Sequence, residues 1–134
     1  MMERSITVVY DSGALLAAER NDRDFLAAHV TFMRLERNVV VPSPVLAQVW
    51  RGGGRQATVS RLLTACVIEP TSEQTARNAG FILGRARSSD AVDAIVIATA
   101  LAYDALIVTS DPDDMTLLWG ASGISSKPPS ILAV

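Results

Sequence analysis

The sequence predicts an α/β fold: a parallel sheet covered by helices on both faces. Three observations carry that prediction. Short runs rich in valine and isoleucine recur along the chain, each is followed by a longer helical pattern, and glycine, proline, serine or aspartate marks the joins. At 134 residues with 49% hydrophobic content, the chain is expected to form one domain over residues 1–134, without a linker and with a sizeable core.

Ile6 to Tyr10 reads as a short buried strand, and Ser12 to Glu19 as the helix that follows it. A second helix is expected over Asp24 to Arg37, with Phe25, Leu26, Val30, Met33 and Leu35 as its apolar stripe. Val39 to Val41 is the second strand, ended by Pro42 and Pro44. Helices over Val45 to Arg51 and Gln56 to Ala65 flank Gly52-Gly53-Gly54, and Val67 to Glu69 is the third strand. Ser72 caps a helix reaching Arg87, and another helix covers Asp90 to Ala102. Leu106 to Thr109 is the fourth strand and Pro112 to Leu118 the helix after it. In the tail, either Ile124 or Ile131-Leu132 supplies an edge strand, kept from the sheet centre by Pro128-Pro129.

Composition excludes little. A net charge of -2 creates no global basic field, so nucleic-acid binding has to come from a local patch. Cys66 stands alone, makes no internal disulfide and fits a reducing cytoplasm; a small buried hydrophobe is the plainest reading of it. No apolar run of signal-peptide length precedes Asp11, and Asp93 and Asp104 interrupt the longest apolar stretch, so no membrane span is expected. His29 is the only histidine, which rules out a metal cluster or catalytic triad built on several; it reads as a surface or helix-packing residue. Trp50 and Trp119 read as core or interface residues, and Gly80 and Gly84, four apart on one helix, as permitting a close helix contact.

The acids carry the chemistry. Asp11 closes the first strand and Asp111 the fourth, so in a parallel sheet both emerge at the edge where open α/β folds place ligands. Asp90 and Asp93 share a helix face, and Asp93 lies among Ala91, Val92, Ala94, Ile95 and Val96, where a carboxylate needs a compensating partner. Each also has an ordinary explanation. Asp11 and Asp90 suit helix caps, Asp111 before Pro112 starts a helix, and Asp113 and Asp114 suit its first turn. Carboxylates gathered at one edge repel unless a cation or shared proton offsets them, so a hard divalent ion, Mg²⁺ or Mn²⁺, is the leading expectation. Thr109 and Ser110 can orient those carboxylates or act as turn and cap residues. Arg51, Arg55 and Arg61 around the glycine triplet suit phosphate contact; the same segment also reads as a mobile, solvated connection.

Four blocks occur in order: Val9-Tyr10-Asp11-Ser12-Gly13-Ala14-Leu15-Leu16, Val41-Pro42-Ser43-Pro44-Val45-Leu46-Ala47, Val92-Asp93-Ala94-Ile95-Val96-Ile97-Ala98-Thr99-Ala100 and Ile107-Val108-Thr109-Ser110-Asp111. Together they resemble PIN-domain ribonucleases, most closely the short VapC-type toxins of bacterial toxin–antitoxin pairs. The resemblance implies a three-layer α/β/α sandwich on a five-stranded, mainly parallel sheet. It further implies a Mg²⁺- or Mn²⁺-dependent endoribonuclease that cuts single-stranded or loop RNA and is blocked by a cognate antitoxin protein. Asp11, Asp93 and Asp111 match the family's first, third and fourth acids and would be both catalytic and metal-holding. Gln48 stands where the family usually carries a glutamate, so the site has one negative ligand fewer. Asp90 is the first candidate to replace that charge and Asp114 the second.

Exposed helix faces on a small apolar-rich domain point to a homodimer. The main alternative is a binding module on the same fold, weakened by Gln48, that pairs with a protein or RNA without efficient cleavage. A phospho-acceptor receiver domain requires adjacent early acids and a late lysine, whereas Asp11 stands alone and Lys127 sits in a proline-rich tail; a haloacid-dehalogenase phosphatase requires aspartate where Gly13 stands.

Overall fold

The computed structural model describes residues 6–124 and 127–134. Its strands are β1 (Thr7–Tyr10), β2 (Asn38–Pro42), β3 (Val67–Glu69), β4 (Leu106–Thr109) and β5 (Ser130–Ala133). They pair in the order β3-β2-β1-β4-β5, and every pairing is parallel. The helices are α1 (Ser12–Glu19), α2 (Arg23–Arg34), α3 (Ser43–Val49), α4 (Ala57–Leu63), α5 (Glu73–Ala86), α6 (Ala91–Tyr103) and α7 (Pro112–Ala121). α1 packs with α2, α3 and α4, and α5 packs with α6 and α7, so two helical layers enclose the sheet in an α/β/α sandwich. No described helix is long and apolar enough to cross a membrane.

β1 is buried along its whole length and the middle of β2 and most of β4 nearly so, as the continuous valine and isoleucine runs require of strands covered on both faces. β3 and β5 form the edges and expose apolar residues, among them Val67 and Leu132. Of the two tail candidates, Ser130–Ala133 pairs with β4, and Pro128-Pro129 precedes it at the edge as expected.

Several boundaries differ from the expected ones, each for a local reason. α2 ends at Arg34 rather than Arg37, because Glu36 turns left-handed (φ 54°). The Glu36 N–H then donates to the Met33 carbonyl at 3.1 Å and the Arg37 N–H to that of Phe32 at 2.9 Å, a Schellman closure. α3 starts at Ser43, since Pro44 in the first turn lacks only an N–H that would have had no helical partner. A 3₁₀ turn over Gly54–Gln56 precedes α4, and α7 runs on to Ala121.

The inward face of α2 also differs. Phe25 and His29 are buried, with Leu26, Phe32 and Met33 packed beside them, whereas Val30 and Leu35 face outward. An imidazole can lie on the core side because its Nδ1 hydrogen-bonds the buried Tyr10 hydroxyl at 2.8 Å. The Phe25 ring packs edge-on against Tyr10 at 5.2 Å between centroids.

Burial pushes the pKa of His29 down. The unfolded chain takes up that proton near the ordinary histidine value of about 6.5 and the folded chain only in stronger acid, so falling pH favours unfolding through this group. Carboxylates whose pKa values are raised on folding titrate with the opposite sign, so the comparison is with His29→Gln. Between about pH 7.5 and about pH 5.5 the wild type is expected to lose urea midpoint relative to that variant. A gap between the two that stays constant with pH contradicts a buried neutral imidazole.

Candidate metal centre

Strand order reverses at β1: β2 and β3 lie on one side of it, β4 and β5 on the other. In an open α/β sheet the helices that follow the strands diverge at such a point and leave a crevice beyond the strand ends. Tyr10 pairs with Val108 there, so Asp11 and the turn carrying Asp111 leave the sheet side by side. The Asp11 N–H donates to the Val108 carbonyl at 3.1 Å and continues the pairing past the strand end. α6 leads into β4, so its N-terminus, with Asp90 and Asp93, begins at this same edge.

Asp11 forms the floor and is 5% exposed. Its Oδ1 accepts the Ala14 N–H at 3.1 Å as the cap of α1. Burial raises its pKa; the Thr109 hydroxyl and the Ala14 and Gly13 N–H groups act against that, and the charge of Asp111 adds to the rise. Asp93 is half-buried and pushed up to about 7, by burial first, then by the charge and hydrogen bond of Asp90, then by the charges of Asp11 and Asp114. Asp90 caps α6, its Oδ1 accepting the Asp93 N–H at 3.0 Å. Asp111 is exposed and precedes α7 without making a side-chain cap. Its pKa is raised chiefly by the charge of Asp114.

Asp90, Asp93, Asp11, Asp111 and Asp114 thus form one run of mutually repelling carboxylates. The ion pairs among the described residues, Arg20 with Asp22 and Arg77 with Glu73, leave that run without a basic partner. Beside it lies a cavity of about 360 Å³ lined by Ser88, Asp90, Asp93, Asp114, Leu117 and Leu118. Among the described residues no group of three or more Asp, Glu, His or Cys side chains is drawn together closely enough to hold a metal ion. The donors are all oxygen and their charge is unbalanced, which fits a hard divalent ion; the open arrangement fits one that keeps water ligands, as Mg²⁺ does.

Gln48 lies exposed on α3. Thr109 is fully buried and couples two acids, its hydroxyl facing Asp11 and its Oγ1 accepting the Asp111 N–H at 2.9 Å. Ser110, next to it, is exposed. Arg51, Arg55 and Arg61 are exposed, with the Arg51 Nη1 turned back onto the Trp50 carbonyl at 2.7 Å. Cys66 is half-buried and burial pushes its thiol up to about 12, as befits a packing residue rather than a nucleophile. Gly80 and Gly84 face open space and make no internal helix contact.

Sequence reasoning missed Gln56, which is 3% exposed. Its Oε1 accepts the N–H groups of Arg51 at 2.8 Å and Gly52 at 2.9 Å; its Nε2 donates to the Val49 carbonyl at 2.7 Å and to Glu19 at 3.0 Å. The arginine–glycine segment is therefore a braced loop, with Gly52 and Gly53 at the positive φ values of 78° and 85° that its path demands. Nothing in the sequence marks Gln56, because glutamine is equally at home on a solvated helix.

A family model described as PIN domain matches residues 8–116. Among solved structures, the chain is similar to VapBC2 from Rickettsia felis, crystallised bound to a DNA fragment from its promoter. The two are 14% identical with a TM-score of 0.68, over 83% of this chain and 92% of that one, a likeness of fold. No curated protein matches the chain.

Thr109→Val keeps the shape of the side chain and removes both of its polar contacts. It is expected to lower unfolding free energy by about 1–3 kcal/mol and to raise the Asp11 pKa further. Urea unfolding and carboxyl-carbon NMR titration measure the two effects; unchanged values in both contradict the coupling.

Proposed function

The chain belongs to the PIN-domain family, and on that premise we propose that it is a divalent-cation-dependent endoribonuclease, the toxin of a toxin–antitoxin pair. PIN domains are in general nucleases. The observation that carries the reading is the run of carboxylates at the sheet's switch point, charged alike and without a basic partner among the described residues. Asp11, Asp93 and Asp111 would hold Mg²⁺ or Mn²⁺, with Asp90 and Asp114 supplying the charge that Gln48 lacks. The chemistry such an ion supplies is Lewis acidity at a phosphodiester oxygen and a lowered pKa for the attacking water. The chain's own residues keep the acids ready: Thr109 and the start of α1 hold Asp11 by hydrogen bonds against the cost of its burial, and Asp90 fixes the first turn of α6 under Asp93. Arg51 and Arg55, on the loop braced by Gln56, and Arg61 on α4 are the proposed contacts to RNA phosphates.

The similar structure from Rickettsia felis is of VapBC2, which supports a protein partner of the antitoxin type. Leu117 at 70% exposure and Phe81 at 58% support a homodimer that covers them. Light scattering is expected to give twice the 14.3 kDa chain mass at micromolar concentration, and the monomer mass contradicts it. A second reading, a binding module on the same fold, is favoured by the neutral Gln48 and by the absence, among the described residues, of any group of three or more Asp, Glu, His or Cys side chains placed to hold a metal ion.

Purified protein is expected to cut single-stranded or loop RNA with Mg²⁺ or Mn²⁺, and Asp11→Ala to abolish cleavage without loss of fold. Asp93→Asn should weaken Mn²⁺ binding by about tenfold or more in calorimetry, and Gln48→Glu should raise affinity and turnover. If neither the wild type nor Gln48→Glu cuts any RNA offered, the binding-module reading replaces this one.

A further inference from the structure

Gly13 occupies the first turn of α1, two residues after Asp11. Glycine there is unfavourable on helix propensity alone, and its φ is not in the left-handed region, so conformational freedom does not explain it. Space does. A Cβ built on Gly13 would lie 2.7 Å from Ser110 Cβ and 2.7 Å from the Ser110 backbone nitrogen, and would overlap Ser110 Oγ. The turn between β4 and α7 thus rests directly on the missing side chain.

That turn has little freedom to retreat. Asp11 N–H is bound to Val108, Thr109 Oγ1 to the Asp111 N–H, and the Thr109 carbonyl accepts the Val134 N–H at 2.9 Å. A side chain at position 13 would therefore press on Ser110, between the tied Thr109 and Asp111, and through it on Asp111. The Asp11 carboxylate accepts the Ala14 N–H at 3.1 Å, so displacement of α1 would disturb the other acid.

We propose that Gly13 is a positioning residue, whose absent side chain seats the Ser110–Asp111 turn against α1 and so sets the spacing of the Asp11 and Asp111 carboxylates. The inference rests on the cation reading above and assigns a role that neither the family match nor the acids themselves specify. It also gives Ser110 a definite part: its backbone and Cβ form the surface that meets α1, while its exposed position leaves the acids to do the binding.

The test is Mn²⁺ titration calorimetry on the full chain, with circular dichroism to verify folding. Gly13→Ala is expected to bind Mn²⁺ about tenfold more weakly or worse, and Gly84→Ala, where a Cβ meets open space, to bind as the wild type does. Ser110→Gly supplies the second background: adding Gly13→Ala to it should cost less affinity than Gly13→Ala costs the wild type, because the contacts with the Ser110 side chain are gone. Wild-type affinity in Gly13→Ala, or an equal loss in the two backgrounds, overturns the inference while leaving the cation reading intact. No Mn²⁺ binding by the wild type overturns the cation reading and this inference with it. If Gly13→Ala does not fold, the double variant is compared with Ser110→Gly: weaker binding is expected from the remaining contact with the Ser110 nitrogen, and equal binding overturns the proposal.

Discussion

Parallel pairing of β1 with β4 organises the molecule. Val8, Val9 and Tyr10 lie opposite Leu106, Ile107 and Val108, although almost a hundred residues of chain separate them. Because β1 also pairs with β2, it becomes the central strand, and the sheet winds away from it in both directions. Its burial on both faces demands the consecutive apolar residues Val8, Val9 and Tyr10 that precede Asp11. The same pairing brings two strand ends together and leaves a crevice between the elements that follow them.

Charge is treated unusually in that crevice. Elsewhere, two polar side chains drawn into the interior find partners: His29 bonds Tyr10, and Gln56 uses its oxygen and its nitrogen twice each. At the switch point, by contrast, neighbouring carboxylates help to raise the pKa values of Asp11, Asp93 and Asp111, and Asp93 reaches about 7. Such an arrangement costs stability in the free protein, a cost that the proposed cation would offset. The hydroxyl of Thr109 and the first N–H groups of α1 reduce the cost for the most buried member, Asp11.

The segment from Arg51 to Arg55 shows the opposite strategy. Three consecutive glycines would by composition make a flexible connection, yet one buried side chain ties the start of the loop to the end of α3 and to α1. Its arginines are thus carried on a shaped support, which would lower the entropy lost in the proposed phosphate contacts. Their guanidinium groups remain exposed to solvent.

Local pattern was enough for the strands, for most helix starts and for the positions of the principal acids at strand and helix ends. The five-residue apolar run before Asp11, the cap residues Ser72 and Asp90, and proline after Asp111 each carry their meaning within a few positions, as propensity and capping do. The end of α2 was missed because a left-handed Glu36 is set by closure onto Phe32 and Met33, and its inward face because His29 becomes a core residue only with Tyr10 beside it. Gln48 was recognisable as a departure from a family pattern, but its exposure on α3 was not. The clamp by Gln56 and the contact of Ser110 with Gly13 join residues 37 and 97 positions apart, and no local preference encodes a distance across the fold. Sequence settled which residues could bear charge and where strands end; the long-range pairing of β1 with β4 set how closely those charges stand, since proximity between distant segments exists only after the core has closed.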